Sequence, residues 1–334
     1  MKFAACTSFS PLEAIGCRAA SDYPAVNKRS ATDSDALQEG HRPLQEMRPA
    51  LRALFWLIGA LPLRVVQAIG AVLARVAIAL SKRERERLAE NLRAAGFDTP
   101  GMARAATAEA GKMLLEMGWF WQRPQDELVK LVRRFEGEQL AIEAKARGKG
   151  IIFLAPHLGC FEISSHFAAS RSPITVIYSP PRQRLFRAFA QLGRARGNVR
   201  LVEANTRGAT ALLAALRRGE WVGILPDQVP TRGEGEWAQF FGRPAYTMTL
   251  WSRLQQRTGA TVILCFPERL ARGKGYDIHL EPLPPPEPDE SPVRQLNRAI
   301  ENLVRRKPEQ YLWSYNRHRV PFGVPPPPEA DSKE

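Results

Sequence analysis

The residues best suited to chemistry in this chain are His157 and Glu162, in the stretch 150-GIIFLAPHLGCFE-162. An imidazole with one nitrogen held by a carboxylate is fixed in one tautomer. Its other nitrogen can then take a proton from a substrate hydroxyl. Such a pair is a general-base dyad. Residues five apart on a continuous helix are rotated by roughly 140° and do not face each other. The pair therefore needs a turn between its members. The apolar run 151–155 has the length and composition of a fully buried strand. Pro156 lacks an N–H and ends that strand. The sequence thus predicts strand, tight turn, helix start, with His157 at the carboxyl end of a strand, where open α/β sheets place their ligands. Glu162 falls in the first or second turn of the next helix. Taken alone, a His-x4-Glu pair is more often a turn histidine and a solvated glutamate than a dyad.

The surrounding motifs change that balance. The block 156-PHLGCFE-162 resembles the Pro-His-Leu-Gly-Asn-Trp-Glu block of the lysophospholipid and lipid A acyltransferases, and most closely the late lipid A acyltransferases of Gram-negative bacteria. It departs only at Cys160 and Phe161. Further blocks follow in order: Asn91-Leu92, Glu136-Gly137, Gly193-Arg194, Pro226-Asp227-Gln228, 240-FFGRP-244 and the closing segment 311-YLWSYNRHR-319. Together they extend the resemblance from about residue 50 to about residue 320.

Composition sets the outer bounds. The 334 residues carry a formal charge of +14 and are 44% hydrophobic, enough for a sizeable core. So basic a chain points to anionic partners: nucleic acid, a membrane face, a phosphorylated lipid or an acidic carrier protein. The basic residues are scattered, no nucleic-acid module signature is visible, and the aromatics lie in apolar runs, so nucleic acid is not an expected partner. Cys6, Cys17, Cys160 and Cys265 have neither metal-ligand spacing nor a disulfide framework, which fits a reducing compartment. No phosphate-binding glycine loop, zinc spacing or Gly-x-Ser-x-Gly elbow is present. No cofactor and no metal are expected.

Taken in order, residues 1–47 read as a disordered extension. The apolar stretch before Cys6 is too short for a secretory leader. Residues 48–98 form an expected membrane-associated helical segment. Its core, 51–80, is broken by Pro62 and interrupted by Arg52, Arg64 and Arg75. Both a core helix hairpin and an anchor with snorkelling arginines fit it. The resemblance favours the anchor. The basic run 82–96 reads as a charged helix able to face anionic lipid, and 102–123 as an amphipathic helix. Residues 99–322 form the expected catalytic domain. Within it, 174–182, 221–228, 261–266 and 276–280 read as strands, and 184–198, 209–218 and 296–304 as helices. Residues 323–334 read as a Pro-rich charged tail. The expected fold is α/β, a mixed and mostly parallel sheet flanked by helices behind the membrane-associated segment.

By resemblance, the protein is an acyltransferase at the cytoplasmic face of the bacterial inner membrane. The donor is acyl–acyl carrier protein and the acceptor a hydroxyl of a lipid A precursor, with an anionic membrane surface as third partner. His157, oriented by Glu162, is the expected base. Composition gives Arg194 no preference over Arg187 or Arg196; the resemblance singles it out, for the developing oxyanion or for anionic groups. Asp227 alone reads as a turn or N-cap residue. The resemblance gives it a site role, orienting Arg194 or the acceptor. Three alternatives stand beside this reading: a lysophospholipid or lipoamino-acid acceptor, Cys160 as a nucleophile, and a non-catalytic basic membrane-surface protein.

Overall fold

The computed structural model describes residues 49–180, 193–231 and 233–328. The expected extension 1–47, residues 329–334 of the tail and most of the basic helix expected over 184–198 lie outside the described residues. Four helices lead the chain: α1 (Pro49–Ala60), α2 (Leu63–Leu80), α3 (Lys82–Ala94) and α4 (Pro100–Phe120). Pro62 separates α1 from α2, since its ring removes a helical hydrogen bond. Ser81 ends α2 and caps α3, its hydroxyl accepting from the Glu84 N–H. Thr99 caps α4 in the same way, with Pro100 in the first turn where its missing N–H costs nothing.

Helices α2 and α4 pack with their backbones in contact. A Cβ built on Gly70 would lie 2.4 Å from the Gly111 carbonyl oxygen. Of α2, Leu63, Val66, Gln67, Gly70 and Ala71 are buried, whereas Ile69, Val72, Leu73, Val76 and Leu80 are exposed. An apolar helix with one stripe packed and the opposite stripe uncovered has no reason to face water. Among the described residues, α2 is the one helix long and apolar enough to cross a membrane. The charged helix α3 nevertheless buries Leu88 and Leu92 in the core, and Asn91 donates to the Trp313 carbonyl at 2.7 Å. This contact gives the Asn-Leu pair its structural meaning.

After α5 (Gln125–Val129), the remaining elements are β1 (Val132–Glu136), α6 (Glu138–Ala146), β2 (Ile151–Leu154), α7 (Phe161–Ala169), β3 (Ile174–Tyr178), β4 (Val199–Glu203), α8 (Thr206–Arg217), β5 (Trp221–Ile224), β6 (Gly235–Phe240), β7 (Arg243–Met248), α9 (Leu250–Thr258), β8 (Thr261–Arg269), β9 (Tyr276–Pro282) and α10 (Pro292–Arg306). Seven strands form one sheet in the order β1-β9-β8-β2-β5-β3-β4. Every pair is parallel except β8 with β9. This is the mixed, mostly parallel sheet expected from the sequence. The central strands β2 and β5 are buried along their whole length, as strands with both faces covered must be. Residues 240-FFGRP-244 form a tight hairpin turn between β6 and β7. Phe241 and Gly242 both have positive φ, 47° and 72°, as the primed hairpin turns require.

Candidate active site

Two adjacent strands deliver the central pair of side chains. The last register pair of β2 and β5 is Leu154 with Ile224. Three residues beyond each lie His157 and Asp227, both following a proline. They meet: His157 Nδ1 lies 2.8 Å from Asp227 Oδ1, and the His157 backbone N–H donates to Asp227 Oδ2 at 2.9 Å. A carboxylate can only accept, so Nδ1 carries the proton and Nε2 presents its lone pair. The Gln228 amide donates to that lone pair at 3.1 Å. Burial works against the charge on Asp227. The facing imidazole, its two hydrogen bonds and the more distant Arg317 outweigh burial and hold the carboxyl below its usual range.

Glu162 is not the imidazole's partner, contrary to the sequence expectation. It lies in the first turn of α7 and its carboxylate turns toward α4 and the segment before β4. Arg194 grips it with Nε at 2.9 and 3.1 Å and Nη2 at 2.8 Å, and the Trp121 indole N–H donates to it at 2.9 Å. Burial again opposes the charge, and Arg194 outweighs it, so this carboxyl also sits below the usual range. The physical reason for the difference is reach. Asp227 projects from the neighbouring strand at the same level as His157, whereas a guanidinium stands beside Glu162. Arg194 is about a fifth exposed, with its guanidinium carbon 5.5 Å from the Trp121 ring centre. All four residues singled out from the sequence thus gather at one end of the sheet, as two couples: His157 hydrogen-bonded to Asp227, and Arg194 ion-paired with Glu162.

The turn carrying His157 is held from several sides. Gly159, at φ 66°, donates to the Gln310 carbonyl, and its own carbonyl accepts from Arg269. Leu312 N–H donates to the His157 carbonyl, and Cys160 N–H to that of Pro267. The closing segment 311–319 is therefore a brace beneath the site. Arg317 within it is buried and donates to the Tyr246 carbonyl and to Thr247. Cys160 itself is buried, and burial with the nearby Glu116 pushes its thiol well up. That disfavours the thiolate and the nucleophile alternative.

A cavity of about 790 Å³ opens at this cluster. His157, Glu162, Arg194 and Gln228 line its mouth, with Asn205, Thr206, Thr231, Glu234 and Arg253 from the loops and helices after β4 and β5. Its interior, between α7 and the sheet, is apolar. A pocket of this size, apolar with a few convergent polar groups, is the usual form of a ligand site.

One buried group near the site makes acid stability testable. His166, one turn along α7 from Glu162, is fully buried and neither ring nitrogen has a hydrogen-bond partner. Burial lowers its pKa from 6.5 to about 4, against the opposing pull of Glu162. The unfolded chain therefore takes up this proton first as the pH falls. Stability is fully present above pH 6.5 and is lost on the way down to pH 4, by about 3 kcal/mol from this residue. His318, also lowered to about 4, adds to the same window. In His166→Leu the loss of unfolding temperature between pH 7 and pH 5 is expected to shrink. An unchanged loss would remove His166 as its source.

Comparison with known proteins agrees with the motifs. The family model described as bacterial lipid A biosynthesis acyltransferase matches residues 47–320. The chain is similar to the lipid A biosynthesis lauroyltransferase of Escherichia coli (strain K12), with 25% identity over 81% of this chain and 91% of the relative. Against the lipid A biosynthesis palmitoleoyltransferase of the same organism, identity is 28% over 72% of this chain and 74% of the relative. The lipid A biosynthesis myristoyltransferase, again from that strain, is 26% identical over 54% and 56%.

Proposed function

Since this chain belongs to the bacterial lipid A biosynthesis acyltransferases, and is thus an acyltransferase, we propose that it moves a fatty acyl chain from acyl–acyl carrier protein to a hydroxyl of a lipid A precursor, late in the assembly of that lipid. The observation that carries the reading is the His157–Asp227 pair at the mouth of a large apolar cavity. Asp227 holds Nδ1–H and leaves Nε2 as the base. The acceptor hydroxyl displaces the Gln228 amide from Nε2 and gives up its proton as its oxygen attacks the thioester carbonyl. The tetrahedral oxyanion then collapses, the carbon–sulfur bond breaks, and the imidazolium returns the proton to the departing thiolate. Arg194, fixed through Nε and Nη2 by Glu162, keeps Nη1 for an anionic oxygen at the mouth, either the oxyanion or a phosphate.

The apolar outer stripe of α2, with exposed Trp56, Leu57 and Leu114 beside it in sequence or in packing, supports attachment to a bilayer. The basic helix α3 follows directly and suits an anionic leaflet, each cation contributing roughly 1 kcal/mol near such a surface. In this reading the enzyme works at the inner membrane and faces the cytoplasm, where acyl carrier protein is charged. The names of the three relatives specify three different acyl chains, so the chain transferred here depends on this protein's own pocket.

Membranes containing the protein test the reading directly. Labelled acyl–acyl carrier protein is offered with a Kdo-bearing lipid A precursor and, separately, with a lysophospholipid. Labelling of the lipid A precursor is the expected result. Labelling of the lysophospholipid alone would keep the chemistry and replace the acceptor.

A further inference from the structure

The cavity continues inward as a passage between α7 and one face of the sheet, and the strand register gives its wall in rows. Ala155 and Cys265 lie nearest His157. Phe153, Gly223 and Val176 form the next row, and Trp221 and Ile174 the deepest. Four residues separate the level of Ala155 from that of Trp221, about 13 Å at roughly 3.3 Å per residue. From the helix, Phe167 and Ala168 close the opposite side, and Arg171 caps the far end with its guanidinium carbon 3.8 Å from the Phe167 ring centre.

In the middle row, Gly223 alone has no side chain. Nothing in the backbone requires a glycine there, because its φ lies outside the left-handed region. The three atoms nearest a Cβ at this position all belong to side chains, Val176 Cγ2 at 3.2 Å, Ile174 Cδ1 at 3.6 Å and Val176 Cγ1 at 3.8 Å, so Val176 must give by a few tenths of an ångström but no backbone atom stands in the way. The strand around it, Trp221–Ile224, is otherwise built of large residues. A glycine inside a central strand weakens it and marks a place where something else approaches closely. Here the space it leaves adjoins the passage. Phe153, its register partner, leans on Trp221 with ring centres 5.3 Å apart, so that the two rings border the gap.

We propose that the passage seats the donor's acyl chain and that Gly223 is a specificity-determining residue: the gap it leaves lets the chain run past Phe153 to a floor at Trp221. The inference rests on the acyl-transfer reading above. A side chain at residue 223 shortens the usable passage, and a smaller residue at 221 lengthens it.

The test is a competition. Full-length protein in membranes receives carrier-protein donors bearing saturated chains of graded length, with the lipid acceptor, and the products are resolved by mass spectrometry. Gly223→Val is expected to shift the ratio of short to long products by roughly tenfold or more toward short chains, the scale on which hydrophobic pockets discriminate by chain size. Trp221→Leu shifts it toward longer chains. Thermal unfolding of both variants identifies a folding failure. Should Gly223→Val not fold, the Trp221→Leu ratio decides. An unchanged product ratio in either active variant overturns the proposal, as does a folded Gly223→Val protein equally inactive with all donors. Absence of transfer by the wild type with every donor would instead overturn the function on which the proposal rests.

Discussion

Replacing His157 by alanine is expected to lower acyl transfer by about 10²–10⁴-fold, the usual contribution of a positioned general base. Asp227→Asn has a loss of the same order. Asparagine can accept through its oxygen or donate through its nitrogen. It cannot offer two acceptors to the His157 backbone N–H and the Nδ1–H at once. It also removes the charge that stabilises the imidazolium formed during transfer. Glu162→Gln acts by a different route. It loosens Arg194, which then no longer holds its place at the mouth. Each variant is measured as kcat and KM with a saturating donor. Near-normal kcat in His157→Ala would remove His157 as the base.

The largest effect on stability is expected at Arg269. This buried guanidinium donates to Glu116 through Nε at 2.9 and 3.0 Å and through Nη2 at 2.6 Å, and to Glu109 through Nη1 at 2.7 Å. Glu116 is fully buried and also accepts from Gln67 of α2 at 2.6 Å and from the Tyr276 hydroxyl at 2.9 Å. Lys112 pairs with Glu109. Two carboxylates and two cations thus lock α2, α4, β8 and β9 together. Arg269→Met leaves Glu116 buried and uncompensated, which costs about 3–5 kcal/mol. Arg269→Met with Glu116→Leu is expected to recover part of this, because an apolar pair can replace a buried ion pair that loses both partners. Arg269 Nη2 also donates to the Gly159 carbonyl at 3.1 Å, two residues from His157, so the single variant loses activity along with stability. Unfolding within about 1 kcal/mol of the wild type, the range of an exposed pair, would contradict this account.

How much of this was legible beforehand varies by residue. The strands β2, β5 and β8 announce themselves as apolar runs, β9 by the alternation of Tyr276, Ile278 and Leu280 with Asp277 and His279, and the helices 209–218 and 296–304 by their period. Strands β1 and β4 did not. Each is only five residues long, carries charged residues and shows neither an apolar run nor a strict alternation of buried and exposed positions. Pairing in the site depends on which strands are neighbours, which no local pattern gives. A signal was nevertheless present. The segments 151-IIFLAPH-157 and 221-WVGILPD-227 share one template, an apolar run of five, a proline, then a titratable residue. If such strands adjoin in parallel register, the two side chains must meet. Reading Glu162 as the partner of His157 favoured nearness in sequence over nearness in the sheet. Glu116 was hidden for another reason: a glutamate on an amphipathic helix reads as solvated, and its cation lies 153 residues away. Trp121 lies in the stretch 102–123 expected as an amphipathic helix, and only the fold shows its N–H reaching Glu162.

A double-mutant cycle on kcat between His157 and Asp227 tests the central claim most directly. If Asp227 acts by holding the imidazole, then adding Asp227→Asn to His157→Ala changes the residual rate by no more than about twofold, because groups that act as a unit are strongly non-additive. If the second substitution costs its full factor again, Asp227 serves something other than His157, and the pairing proposed for catalysis is wrong.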